Sequence, residues 1–169
     1  MFYQRDNKEG LVGYTDAGYL SDPHKARSQT GYVFLYNGTA ISWKSTKQTL
    51  VATSTNLAEI YALHEGSKEC VWLRELTSYI KTTSGLPVTT NATVIYEDNH
   101  ACIEQMSTGF IKGDRTKHIL PKFFYTHGLI EDKQVQLKAI RSCNNIADIF
   151  TKSLPSTTHE WESDRRSFL

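Results

Sequence analysis

"VIYEDNHACI", residues 94–103, changes character in its middle. Val94, Ile95 and Tyr96 form a strand-like run. Glu97 and Asp98 follow at once, then Asn99 and His100, and beyond them the apolar residues take up a new spacing. A strand that ends in acids and hands the chain to a helix is a βα unit. Two acids at the end of such a run are costly unless something uses them. Side chains alternate along a strand, so Glu97 and Asp98 are expected on opposite sides. Asp98 then stands at the strand exit, and Glu97 faces away, toward a helix edge or solvent.

The rest of the chain is built outward from this unit. "ATVIYE" (92–97) is expected as the fourth strand, with Asp98 at the N-cap position of a short helix, "NHACIEQM". Upstream lies "STNLAEIYALHEGSKECVWLRELTSYI" (54–80), in which Leu57, Ile60, Tyr61, Leu63, Val71, Leu73 and Leu76 mostly recur at three- and four-residue intervals. That period predicts a long amphipathic helix with Ser54 or Thr55 as its N-cap. In "QTGYVFLYNGTAISWKS" (29–45), Asn37-Gly38 separates two β-rich runs. The dipeptide suits a type I′ turn, which predicts a β-hairpin. "LVGYTDAGY" (11–19) supplies a further strand. Downstream, 109–116 reads as a polar, basic loop. "KHILPKFFYTHGLIEDK" is expected to be helical from about 121, since Pro121 is tolerated in a first turn. "VQLKAI" (135–140) alternates as a fifth strand, and "NIADIFTKSL" is a last short helix. The order βββ-α-β-α-α-β-α predicts an α/β domain, a five-stranded mixed sheet with helices packed against it.

The chain has 169 residues, which fits a single domain over 1–169 with a core of about 10–156 and a polar tail at 157–169. It is 39% apolar and 22% charged, a balance that argues against disorder. No stretch approaches the ~20 apolar residues of a membrane span, and the first ten residues lack a signal peptide's apolar core. The net charge of +1 does not announce a nucleic-acid binder, so such a reading must rest on local basic clusters. Cys70, Cys102 and Cys143 are widely spaced with no CxxC, which indicates neither a disulfide framework nor a zinc site. Reduced thiols in an intracellular setting are expected.

Four acids share an address in this scheme. Asp16 falls late in strand 1 and Asp98 just past strand 4. If those strands are parallel neighbours, both carboxylates project at the same end of the sheet, the end where open α/β sheets bind ligands. Glu59 lies about one turn into the long helix, and Asp148 lies in the last helix as it leaves strand 5 for the same rim. Individually, each has a cheaper reading: a turn former for Asp16, a solvated helix residue for Glu59, an N-cap for Asp98, a first-turn acid for Asp148. Those readings do not explain the gathering of all four at one edge. Repelling carboxylates are tolerable if cations sit among them, and an all-oxygen site suits Mg²⁺ or Mn²⁺.

"YTDAGY", "GYVFLYNGTAISWKSTKQ", "STNLAEIYAL", "EDNHACI", "RTKHI" and "NNIADIFTKSLP" occur in order over roughly residues 10–156. Together they resemble the ribonuclease H domain of Ty1/copia-type retrotransposon polyproteins of the kind found in plants. The resemblance implies the ribonuclease H fold, with sheet order 3-2-1-4-5 and helices on both faces. It implies an endoribonuclease that hydrolyses the RNA strand of RNA–DNA hybrids with two Mg²⁺ ions, Mn²⁺ substituting. The metal-binding and catalytic set it implies is Asp16, Glu59, Asp98 and Asp148, with Asp16 bridging both ions, Glu59 and Asp98 completing one site and Asp148 the other. It further implies a reverse transcriptase domain of the same polyprotein as partner, no membrane, and a cytoplasmic place in a virus-like particle or a nuclear one. The sequence departs from the family in three ways. Many ribonucleases H carry a His on the loop before the last Asp to help product release; here that loop, "RSCNN", has none, and His118 is a candidate for the role. No basic protrusion is evident. Glu97 stands where relatives often carry a small or thiol residue.

A hybrid needs phosphate anchors and 2′-OH readers. Lys44, Ser45 and Lys47 before the long helix, Ser54 and Thr55 at its start, Asn99 beside the acids, and Lys117 and His118 in the second basic cluster are the candidates. Gln48 and Trp43 are further ones, although Trp43 fits a strand edge equally well. Two other readings stay open: a catalytically weak hybrid-binding or polymerase-docking module, and another nuclease or integrase on the same fold.

Overall fold

The computed structural model describes residues 10–22, 24–88, 90–111 and 120–152. Strands β1 (Leu11–Asp22), β2 (Arg27–Tyr36) and β3 (Thr39–Lys47) are followed by helix α1 (Thr55–Thr83), strand β4 (Thr93–Glu97), helices α2 (His100–Thr108) and α3 (Leu120–Glu131), and strand β5 (Val135–Ala139). Two 3₁₀ turns close the described chain, Ser142–Asn144 and Ile146–Phe150. The last element is thus a 3₁₀ turn rather than the α-helix its sequence suggests.

The five strands form one sheet in the order β3-β2-β1-β4-β5. β1, β2 and β3 pair antiparallel, whereas β1–β4 and β4–β5 are parallel. The β2–β3 turn has Asn37 at φ 50° and Gly38 at φ 79°, the two positive angles of the turn that the Asn-Gly dipeptide favours. Ser54 caps α1, its Oγ accepting from the Leu57 N–H at 3.2 Å. At α2 the cap is Asn99, whose Oδ1 accepts from the Cys102 N–H at 3.0 Å. The cap expected at Asp98 therefore sits one residue later, and the Asp98 carboxylate is not used as the cap.

The core lies between α1 and the sheet, with Phe34, Ile60, Leu63, Ile95, Met106 and Phe123 essentially fully buried. Gly66 lets α1 approach closely: a Cβ there would stand 2.5 Å from Thr15 Cγ2. The apolar stripe of α1 does not stay covered to its end, and Leu76 is exposed along with Trp72, Tyr79 and Ile80. The opposite face of the sheet carries the Ile146–Phe150 turn. A Cβ on Gly31 would meet Thr151, Phe150 and the Ala147 carbonyl there. Alternation thus assigns Thr15 and Tyr32 to the α1 face, and Asp16 and Gly31 to the 3₁₀ face. No helix among the described residues is long and apolar enough to cross a membrane.

Candidate metal centre

The parallel pairing of β1 with β4 runs Val12↔Val94, Gly13↔Ile95, Tyr14↔Tyr96. Continued two residues, it sets Thr15 beside Glu97 and Asp16, midway along β1 rather than late in it, beside Asp98 just past the end of β4. Two overlapping groups of acid oxygens result. Asp16, Asp98 and Asp148 each bring an oxygen within 4.8 Å of the others, and so do Glu59, Glu97 and Asp98. The first group gathers on the 3₁₀ face and the second on the α1 face. Asp98, at the rim between them, belongs to both.

Each acid is delivered by a local device. Gln48, buried at the end of β3, donates from Nε2 to Thr30 Oγ1 at 3.1 Å and to the Ala58 carbonyl at 2.9 Å. That ties the first turn of α1 to the sheet and fixes Glu59. Asn145 is buried and caps the 3₁₀ turn, accepting from the Ala147 N–H at 3.1 Å while its Nδ2 donates to the Thr15 carbonyl at 2.8 Å. It thereby docks Asp148 against β1. Thr151 Oγ1 donates to Asp16 Oδ2. Lys152 Nζ lies 2.7 Å from Asp148 Oδ2, the one cation drawn into the cluster among the described residues.

Burial and mutual repulsion disfavour ionisation here. Desolvation, with Asp148 and Asp98 adding to it, pushes Asp16 up to about 6 against the pull of Thr151 and Lys152. Burial raises Glu59 to about 11, with repulsion from Glu97, Asp16 and Asp98 behind it. Burial also raises Glu97 to about 8, opposed by hydrogen bonds from Thr15 and the Asn99 N–H. Desolvation pulls Lys152 down, but its bond to Asp148 and the charges of Asp16, Asp148 and Asp98 together outweigh it, and Lys152 is raised. Among the described residues, Glu59 Oε2 and Asp148 Oδ1 are buried with no hydrogen-bond partner. Unpartnered buried carboxylate oxygens, an all-oxygen donor set and strong mutual repulsion suit a hard divalent cation.

Glu97 takes the helix side of the two destinations expected for it, but it is buried there rather than at an edge or in solvent. It does point to the side opposite Asp98, but that side is covered by α1, and Glu97 has no exposed surface at all. It accepts from Thr15 Oγ1 at 2.8 Å and from the Asn99 N–H at 3.3 Å, beside Glu59. Sequence reasoning also missed Lys152, Thr151 and Asn145. Only Asn145 left a signal, an Asx residue three positions before Asp148.

Several of the proposed substrate residues carry structural contacts of their own. Ser45 Oγ donates to the Phe150 carbonyl at 2.5 Å and accepts from Gln29. Lys47 pairs with Asp22 at 2.6 Å, and Lys44 lies 3.8 Å from Glu65. Ser45 and Lys47 line a groove with Phe150, Thr151 and Lys152. Ser54 and Asn99 serve as helix caps, Thr55 is exposed at the start of α1, and Gln48 is buried. Trp43 is exposed on β3. Lys117 and His118 lie outside the described residues.

No protein-family model matches the chain. It is 34% identical over 150 residues to the Retrovirus-related Pol polyprotein from transposon TNT 1-94 of Nicotiana tabacum, covering 89% of this chain. It is 32% identical over 158 residues to the Transposon Ty1-JR1 Gag-Pol polyprotein of Saccharomyces cerevisiae, covering 90% of this chain. Its homologues are Ty1/copia-type Pol polyproteins. The chain spans 11% of the tobacco polyprotein and 8% of the yeast one. The crystal structure of LC11-RNase H1 in complex with RNA/DNA hybrid superposes with a TM-score of 0.60 at 17% identity, covering 88% of this chain and 99% of that one. The fold is that of ribonuclease H, and Asp16 and Asp98 lie side by side on its two central parallel strands.

Proposed function

We propose that this chain is a divalent-metal-dependent endoribonuclease that hydrolyses the RNA strand of RNA–DNA hybrids during reverse transcription of a retrotransposon. The observation that carries the reading is the pair of oxygen groups sharing Asp98 on the rim of a ribonuclease H fold, in a homologue of Pol polyproteins. Asp16 and Asp148 would hold one Mg²⁺ or Mn²⁺ ion and Glu59 the other, with Asp98 in reach of both. Ions so bound supply an activated water and charge stabilisation for the leaving oxygen of a phosphodiester.

The chain's own residues do the positioning. Asn145 and Gln48 lock the two peripheral acids against the sheet. Thr151 holds Asp16 Oδ2, and the bridging role that the resemblance gives Asp16 requires that hydroxyl to yield to a cation. Lys152 neutralises part of the cluster while its side chain stays half-exposed, able to swing aside. Lys47, Ser45 and the N–H groups at the start of α1 are offered to substrate phosphates, with Lys44, Thr55, Asn99, Lys117 and His118 as further contacts. A reverse transcriptase domain of the same polyprotein is the proposed partner.

The test is cleavage of an end-labelled RNA–DNA hybrid with Mg²⁺, with Mn²⁺ and with EDTA. Metal-dependent cutting of the RNA strand alone is expected. Binding without cutting in either metal would replace this reading with a hybrid-binding module, and cutting of duplex DNA would replace it with a nuclease of another specificity.

A further inference from the structure

We propose that Glu97 is a fifth carboxylate of the cation centre, a ligand from the sheet side to the ion held between Glu59 and Asp98; the inference rests on the metal-dependent reading above. Three observations carry it. Glu97 is fully buried, yet no Lys, Arg or His among the described residues forms a salt bridge with it. Its carboxylate is brought within 4.8 Å of oxygens of Glu59 and Asp98. Glu59, only 7% exposed, leaves Oε2 buried and unpartnered in the same place.

A purely structural role explains part of this. Thr15 Oγ1 donates to Glu97 Oε2 and the Asn99 N–H to Oε1, so each oxygen has one partner. A carboxylate oxygen has room for a second. The structural role leaves unexplained why a second buried acid, with an oxygen lacking any partner, is set against the first. Two apposed buried carboxylates are costly without a counter-charge. A divalent cation between Glu59, Glu97 and Asp98 supplies that charge and fills the vacant acceptor. The two bonds that Glu97 already accepts then act as outer supports that orient a ligand, the arrangement common around metal ligands. They also tie the centre to the cap of α2 through Asn99.

The experiment is Mn²⁺ binding to the full, metal-stripped chain at fixed pH, by calorimetry and by the EPR signal of free Mn²⁺, for wild type and Glu97→Gln. Gln keeps the volume and an acceptor for Thr15. The expected result is that wild type binds Mn²⁺ and that Glu97→Gln loses one site or weakens it at least about tenfold. On adding Mn²⁺ the same variant should gain less in melting midpoint than wild type. Unchanged Mn²⁺ binding in Glu97→Gln overturns the inference and leaves the nuclease reading standing. No Mn²⁺ binding by wild type overturns both. If Glu97→Gln does not fold, Glu97→Asp carries the comparison: it keeps the charge but shortens the reach, and weakened binding supports the inference while unchanged binding overturns it.

Discussion

Stripping the protein of divalent cations should make its stability fall as the pH rises from 5 to 7. The cause lies in Asp16 and Glu97, which carry proton affinities raised to about 6 and about 8 in the folded state against ordinary values of 3.8 and 4.5. For such groups the folded state binds more protons than the unfolded one between the two values. Stability is therefore fully present below the unfolded value and is lost as the pH rises through the folded one. At about 1.4 kcal/mol per tenfold in proton affinity, Asp16 alone accounts for about 3 kcal/mol over its whole range. About half of that falls between pH 5 and 7, and Glu97 acts in the same direction. For a chain of this size each kcal/mol moves the melting midpoint by roughly 2–4 °C. Thermal melts in EDTA should thus show a midpoint dropping by several degrees over those two pH units. Saturating Mg²⁺ should remove most of the drop, since the ions favour the ionised carboxylates. The background from all other groups is taken from Asp16→Asn, whose slope should be shallower than that of wild type. Equal slopes for the two proteins in EDTA would refute the claim that burial and repulsion of Asp16 within this cluster shape the pH dependence.

Gly66→Ala should destabilise the fold by about 1–3 kcal/mol in chemical denaturation, because the added Cβ falls 2.5 Å from Thr15 Cγ2 in the α1–sheet interface. Asn145→Ala removes two buried hydrogen bonds at about 1 kcal/mol each and frees the turn bearing Asp148; hybrid cleavage measured well below the melting midpoint should fall more than this loss of stability explains. Lys152→Ala should lower the melting midpoint in EDTA at low salt and have little effect in saturating Mg²⁺, where cations replace its charge.

Much of the architecture is written in short-range chemistry. Asn37-Gly38 dictates its turn, Ser54 its cap, and the strand–acid–helix order of 94–103 dictates a parallel unit. That topology sets Asp16 and Asp98 side by side on neighbouring parallel strands, and the resemblance to the ribonuclease H domain names Glu59 and Asp148 as their companions. What escaped depends on which surfaces meet. Alternation put Glu97 opposite Asp98, but only the packed fold reveals that α1 covers that side and sets Glu59 against it. The choice of Asn99 over Asp98 as cap turns on a one-residue difference in where the helix begins, which two adjacent Asx residues leave ambiguous. Ile146–Phe150 is too short for periodicity to separate a 3₁₀ turn from an α-helix. Leu76 keeps the helical period but lies in the exposed C-terminal part of α1, beyond the part that packs on the sheet. Ser45 and Gln48 look like surface hydrogen-bonders in sequence, yet the fold uses both to hold β3 in place.

The central claim, that the rim around Asp98 is a hydrolytic centre, is tested most directly by one comparison. Wild type and Asp98→Asn are assayed on a labelled RNA–DNA hybrid in Mg²⁺, with matched thermal melts to establish folding. Wild type should cut the RNA strand, and Asp98→Asn, folded and as stable as wild type or more so, should lose at least about a hundredfold in rate, the scale of removing a group aimed at transition-state charge. Turnover near the wild-type rate in Asp98→Asn would contradict the claim.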